Sequence, residues 1–320
     1  MAWTWFGQEK EKTPPQTSDE RDVRMAVDLH EQRHGGLRSG RRAVLDGMEL
    51  DAPDMRDREL RQALLIRMRI AGAVLTGVQM SGASLEECDL SQATLTGVDL
   101  TGGSLQQVFL DMASCSGLNL SDARLQAVSC QGCSMVGARM IEAQLHRCDF
   151  SRGVLNRASF NQARLLDCTF NHAEMENATL YHANIQFCRF HRVQASASNW
   201  TSAKVQSCEF VKAVLRGSRW NNTVLQGSEF LSCDLSEADF RGANLSGGKF
   251  DGSILKGGRF HEAKLLGADL RRADLRMAHE LTPYQLAQAL TSDATILPNG
   301  MRGPYLKHSG AERPRSRFSS

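Results

Sequence analysis

Nine cysteines carry the most chemical potential in this 320-residue chain. Four of them, Cys148, Cys168, Cys188 and Cys208, stand at intervals of 20, and Cys88 falls on the same ruler three intervals earlier. Cys130 and Cys133 form a C-x-x-C pair, with Cys115 and Cys148 on either side. Such sets can hold zinc, close disulfides or relay electrons. Zinc needs ligands converging on one point at about 2.3 Å. A disulfide needs Cβ atoms about 3.8 Å apart, and a lone C-x-x-C without a partner pair is a weak sign of either.

Which chemistry applies depends on the elements that carry these thiols. Stepping by five from Leu45 to Leu275 visits 47 positions, and every one is apolar. The phase never slips, so the segment holds no insertion. Two residues before each centre sits a small residue, as at Ala83, Cys88, Ala93, Val98 and Gly103, and glycine is frequent two residues after it, as at Gly77, Gly82, Gly97 and Gly102. A period of five fits neither a helix nor an alternating strand. It fits a chain that turns a corner every five residues, with a large and a small side chain pointing inward on each side and glycine easing the corner.

Segments such as ADLRRADLR (Ala268 to Arg276), ANLSG (Ala243 to Gly247) and CDLSQATLTGVDLTGG (Cys88 to Gly103) resemble the pentapeptide-repeat family. The resemblance spans about three quarters of the chain. It implies an all-β fold, a right-handed quadrilateral parallel β-helix with four repeats per coil, so that one coil equals one interval of the cysteine ruler. About twelve coils at roughly 4.8 Å spacing would make a rod on the order of 55 Å long.

In such a coil the cysteine ruler becomes a column at one small inward position. Beside it, Phe150, Phe170, Phe190, Phe210, Phe230 and Phe250 form a column of rings. A straight column cannot converge on a metal, and parallel side chains hold sulfurs apart, so the thiols are expected to be core fillers. Cys130 and Cys133 point inward around one corner, where a buried zinc site is the alternative to packing. Trp200 and Trp220 stack on another face, with Ala195 compensating their volume. No metal or cofactor is expected.

Outward positions are mostly polar. His146, His172, His182, His191 and His261 all point out, and none lies one coil length from another. Gln106, Gln126, His146, Leu166, Gln186, Gln206 and Gln226 form an outward column whose amides can bond along the stack. Val211, Val214, Leu231 and Ile254 are outward apolar residues and make a candidate partner patch. No G-x-S-x-G, P-loop or H-E-x-x-H occurs, so no enzyme is expected.

Residues 1–40 hold a segment with Trp3, Trp5 and Phe6 and a capping helix, SDERDVRMAVDLHEQRHGG, with Ser18 or Asp19 as cap, Val23, Ala26, Val27 and His30 on one stripe and Gly35 as stop. Residues 41–280 are the solenoid, although Pro53 and Arg58 sit at small inward positions where Ala or Ser is expected. Residues 281–308 hold a second cap, with Thr282 as N-cap, Pro283 first in the helix, Gln285 completing a capping box and Leu281 and Leu286 as a staple, then an apolar ATILP segment. Residues 309–320 are expected to be a disordered basic tail.

No apolar run is long enough for a secretory core or a membrane span, so a cytoplasmic protein is expected. The leading functional expectation is a non-enzymatic scaffold for an unidentified protein partner. The resemblance adds an alternative, since some pentapeptide-repeat proteins mimic duplex DNA and bind type II topoisomerases such as gyrase. Mimicry requires an acidic surface, but residues 41–280 carry 27 Lys plus Arg against 27 Asp plus Glu, and Glu86, Glu87 and Asp89 make only a local spot. Direct nucleic-acid binding rests on Arg313, Arg315 and Arg317 alone and is not expected. The family also implies a possible homodimer through the C-terminal end.

Overall fold

The computed structural model describes residues 18–225 and 227–314. Two compact units divide the chain, Met1–Ser159 and Phe160–Ser320. Both are parallel β-solenoids, and every centre from Leu45 to Leu275 is buried.

In the first unit, short strands β1 (Val44–Asp46), β2 (Leu64–Ile66), β3 (Ser84–Glu86), β4 (Ser104–Gln106), β5 (Arg124–Gln126) and β6 (Gln144–His146) stack in parallel along one face. Leu45 pairs with Leu65 and Leu65 with Leu85, so the register advances by one full coil at each step, the interval of the cysteine ruler. Three further ladders complete the coil, through Glu49↔Arg69, Asp54↔Val74 and Glu59↔Gln79. Side chains alternate around each centre, with the centre buried and its neighbours outward. The corner residue is left-handed at Gly77 (φ 76°), where glycine costs nothing, and also at Met112 (φ 59°), where it costs some strain.

Helix α1 (Ser18–His34) covers the first coil with Val23, Val27 and His30 buried and Ala26 half-buried. A first coil has no predecessor to accept its edge amides. Side chains of α1 take that role: Glu49 N donates to Asp19 Oδ2 (3.3 Å), Glu59 N to Glu31 Oε1 (3.3 Å) and Ala43 N to His30 Nδ1 (2.9 Å). Arg58 explains its own misfit. From its inward position it reaches Asp28 Oδ1 at 2.6 Å and Glu31 Oε1 at 2.8 Å, tying the helix down, and the Asp54 and Glu59 ladders remain regular around it.

In the second unit, β7 (Arg164–Leu166), β8 (Asn184–Gln186) and β9 (Lys204–Gln206) line one face, and β10 (Glu209–Val211) pairs with β11 (Glu229–Leu231) on the next. Its core is aromatic. Phe170, Phe190, Phe210, Phe230 and Phe250 stack with centroids 4.9, 4.6, 4.4 and 5.1 Å apart. Trp200 and Trp220 stack at 4.7 Å on the opposite face of the coil and meet the phenylalanines edge-on across the core, Trp200 with Phe190 at 80°. This perpendicular arrangement satisfies the ring quadrupoles.

Helix α2 (Pro283–Gln288) begins as the sequence predicts, with Thr282 as N-cap, Pro283 first and Gln285 closing a capping box. Gln285 Nε2 also donates to the Phe260 and Ala263 carbonyls at 2.8 Å, which fixes the helix on the last coil. The ATILP segment then pairs with that coil, Leu275 N donating to Ile296 O and Ile296 N to Ala273 O. The segment expected to be disordered from Ser309 is packed at its start: Ala311 and Glu312 are buried, and Tyr305 Oη donates to Glu312 Oε2 at 3.1 Å. Asn299 N also donates to the Ala311 carbonyl at 3.2 Å. Trp3, Trp5, Phe6, Gln226, Arg315 and Arg317 lie outside the described residues. No helix among the described residues is long and apolar enough to cross a membrane.

Candidate functional site

All nine cysteines are buried free thiols. Five of them, Cys88, Cys148, Cys168, Cys188 and Cys208, occupy the same small inward position of their coils, and their thiols bond to the backbone. Cys88 Sγ donates to the Glu86 carbonyl at 3.3 Å, and Cys188 and Cys208 donate to the Gln186 and Gln206 carbonyls at 3.3 Å. Cys88 and Cys208 also reach the Leu65 and Ile185 carbonyls of the preceding coil at 3.4 and 3.6 Å, and Ser228 and Ser253 make this second bond to the Val205 and Phe230 carbonyls at 3.0 and 2.6 Å. The small inward position therefore admits a compact donor to a backbone carbonyl, beside the Ala and Val that fill it elsewhere. Serines at 228 and 253, in the same phase as the cysteines, were the available signal.

Burial pushes the Cys115 thiol well above its ordinary range, and it lifts Cys233 to about 12. A hydrogen bond with the Cys133 side chain, then burial, pushes Cys130 up as well. Zinc requires thiolates, so Cys115, Cys130, Cys133 and Cys148 form a poor site. Replacing Cys188 by Ser is expected to change stability by less than about 1 kcal/mol, because the hydroxyl keeps the bond. Chemical denaturation checks this, and native thiols should resist a thiol-reactive dye until unfolding.

His30, His34 and Glu59 bring ligand-type atoms within 4.8 Å of one another. Those atoms are already committed. His30 Nδ1 accepts from Ala43 N and Nε2 donates to the Arg61 carbonyl, while both Glu59 oxygens bind the Arg61 guanidinium. The cluster is a structural clasp.

The predicted apolar patch is only partly assembled. Val211 and Leu231 pair in register across β10 and β11, both half-buried. Val214 and Ile254 are separated by Asp234, which receives Arg216 Nε at 2.5 Å. Of the glutamine column, Gln186 Nε2 donates to Gln206 Oε1 at 2.9 Å. His146 and His191 are half-buried at the surface, and His172, His182 and His261 are exposed.

A different surface stands out in the first unit. On its third face the outward pairs are Val74/Thr76, Thr94/Thr96, Ser114/Ser116, Ser134/Val136 and Val154/Asn156, without one charge. Hydroxyls bridge successive coils, Thr96 to Ser114 and Ser116 to Ser134, each at 3.3 Å. Gly77, Gly97, Gly117 and Gly137 form one edge of the first four coils, so no side chain stands above the plane there, and exposed Arg152 and Arg157 take the two corners of the fifth. On the other edge Met112 is 68% exposed and lies over Gly132. Phe109 is 50% exposed on the adjoining face, while Asp111 between them is bonded to Ser129 and Gln131. The Asp54–Arg56 ion pair closes the face at its first coil. The other faces of the unit carry charges such as Glu86, Arg124, Asp89, Asp149, Asp99 and Arg139. The face is distinguished by its columns as a whole, since none of its outward residues is unusual singly.

Charge in the second unit is locally cancelled. Arg241, Arg271 and Arg276 each clasp an aspartate two residues back, Asp239, Asp269 and Asp274, at 2.6 to 2.7 Å. Hydrogen bonding from Arg271 holds the Asp269 carboxyl below its usual range.

Two family descriptions match the sequence: "Pentapeptide repeat region" over residues 143–220 and 163–240, and "Pentapeptide repeats (8 copies)" over 59–111, 113–157 and 249–278. No curated protein matches. Among solved structures, HetL from the cyanobacterium Nostoc sp. strain PCC 7120, a pentapeptide repeat protein involved in heterocyst differentiation regulation, is 23% identical, with 86% of this chain and 97% of that one covered and a TM-score of 0.38. Full-length QnrB1, a plasmid-mediated fluoroquinolone resistance protein, is 20% identical, covering 53% and 94%, with a TM-score of 0.23. A pentapeptide repeat protein of the Arabidopsis thaliana thylakoid lumen is 19% identical, covering 33% and 68%, with a TM-score of 0.26.

Proposed function

The chain belongs to the pentapeptide-repeat family, and from that premise we propose that it is a non-enzymatic scaffold that docks a protein partner on the uncharged third face of its first unit. The carrying observation is a solvent-facing sheet surface with no charge across five successive coils, edged by exposed Met112. Interface cores are depleted of charged residues and enriched in Met and aromatics. An extended hydroxyl and methyl surface leaves no buried ion to compensate when a partner covers it. The occupant that fits is a protein surface itself poor in charge.

A lysine at Thr96 or Ser114 leaves the core untouched and forces the partner to bury an unpaired charge. We expect partner recovery to fall at least about tenfold for Thr96→Lys and Ser114→Lys. Ser129→Lys, on the charged second face, should leave it unchanged, and Val211→Asp/Leu231→Asp tests the alternative patch in the same assay. Equal recovery from all variants contradicts this reading.

Support for DNA mimicry is weaker, since Asp239, Asp269 and Asp274 are each neutralised by a neighbouring arginine and form no acidic stripe. An effect on gyrase supercoiling would revive it. A second copy at the C-terminal end would meet exposed Leu266 and Tyr284. Cytoplasmic residence fits nine buried free thiols.

A further inference from the structure

His30 is the one buried histidine among the described residues, and it lies between α1 and the first coil. Its Nδ1 accepts from the Ala43 amide at 2.9 Å, and its Nε2 donates to the Arg61 carbonyl at 3.0 Å. An amide can only donate, so the ring is held as the neutral tautomer with its proton on Nε2. A second proton has to sit on Nδ1, facing the Ala43 N–H. Two donors cannot share that contact, and the backbone of the coil is fixed by its ladder.

Among the charged groups around the ring, His34 and Arg33 oppose a cation and Glu59 favours one. On α1, the His34 ring stands edge-on with centroids 4.7 Å apart, and Arg33 is close enough to repel. From the coil side the neighbours are Glu59 and Arg61, and the Glu59 carboxylate is already bound by the Arg61 guanidinium. Asp28 and Glu31 are paired with Arg58.

We propose that α1 is an acid-released cap: protonation of His30 lifts the helix from the first coil and exposes that coil's edge amides, among them Ala43, Glu49 and Glu59. The direction follows from linkage. Burial, then His34, lower the His30 pKa from its ordinary 6.5, so the docked ring takes up its proton later than the released one. Docking is full above 6.5 and weakens as pH falls from there toward the lowered value, by up to about tenfold per pH unit for one proton. The consequence is an uncovered β edge, a ready template for pairing with another strand.

Amide exchange on the full chain, corrected for intrinsic rates, tests this between about pH 7.5 and about pH 5.5. Protection of Val23–His34 and Ala43–Leu50 should fall about tenfold, with Ser104–Gln126 unchanged. A glutamine can accept from Ala43 and donate to Arg61 without titrating, so His30→Gln should abolish the acid loss, while His34→Gln should keep it. A flat wild-type profile, or the same acid loss in His30→Gln, overturns the proposal. If His30→Gln is unprotected already at neutral pH, a ring titration of wild-type His30 by NMR decides. The proposal holds if the ring titrates at the midpoint of Ala43 deprotection, and it fails if the ring stays neutral through that midpoint.

Discussion

Trp220→Ala is expected to cost about 3–5 kcal/mol of stability, an effect shared in the second unit with the equally buried Trp200. Trp220 is fully buried, stacked on Trp200 at 4.7 Å and edge-on to Phe230 at 5.5 Å. Its Nε1 donates to Ser218 Oγ at 2.7 Å, and that hydroxyl in turn donates to the Leu215 carbonyl at 2.6 Å. Truncation thus removes the ring, opens a cavity the neighbouring coils cannot fill and strips a bonded partner from Ser218. Collapse is hindered because each coil is held by ladder bonds to the next, so the cavity persists. Trp220→Phe should cost much less, since Phe240 already occupies the next position of that column at 6.3 Å. Urea unfolding measures both, and a cost below about 1 kcal/mol for alanine would mean the column is not packed as described.

Gly40→Ala is the second large effect, and it acts on the cap. A Cβ on Gly40 would lie 2.0 Å from Arg33 N and 2.3 Å from Arg33 Cα, atoms of the helix backbone that cannot swing away. The junction must open for the methyl group to fit. Overpacking of this kind costs about 1–3 kcal/mol. The loss should be confined to α1 and the first coil, because coils contact only their neighbours. Exchange protection at Ala43 should drop while protection at Leu105 stays at its wild-type value. Uniform loss across the unit would contradict the local account.

The five-residue step was readable because the coil has a fixed cross-section and admits no slip, so each inward position is constrained by volume. The aromatic stacks followed from the same regularity, and the capping box of α2 from the local Thr282-to-Gln285 motif. What escaped is set by single contacts. Arg58 looked like a break in the pattern, yet it anchors the cap through Asp28 and Glu31. His30 read as one member of a helical stripe, and its two ring bonds became visible only with Ala43 and Arg61 in place. Burial of Ala311, whose carbonyl accepts from Asn299 N, leaves no periodic signal. The uncharged face was hidden because it is defined by what its columns omit. The Val211 and Ile254 set, chosen from residues that stood out individually, is divided by the Arg216–Asp234 pair.

Whether a partner sits on the third face of the first unit is tested most directly by photo-crosslinking, with the reactive side chain placed singly at Ser114, at Ser134 and at Ser129 in the full chain in native extract. Discrete adducts with one protein from Ser114 and Ser134, suppressed by Thr96→Lys and absent from Ser129, are the predicted result. Adducts of equal yield from Ser129, or none from Ser114 and Ser134, would contradict it.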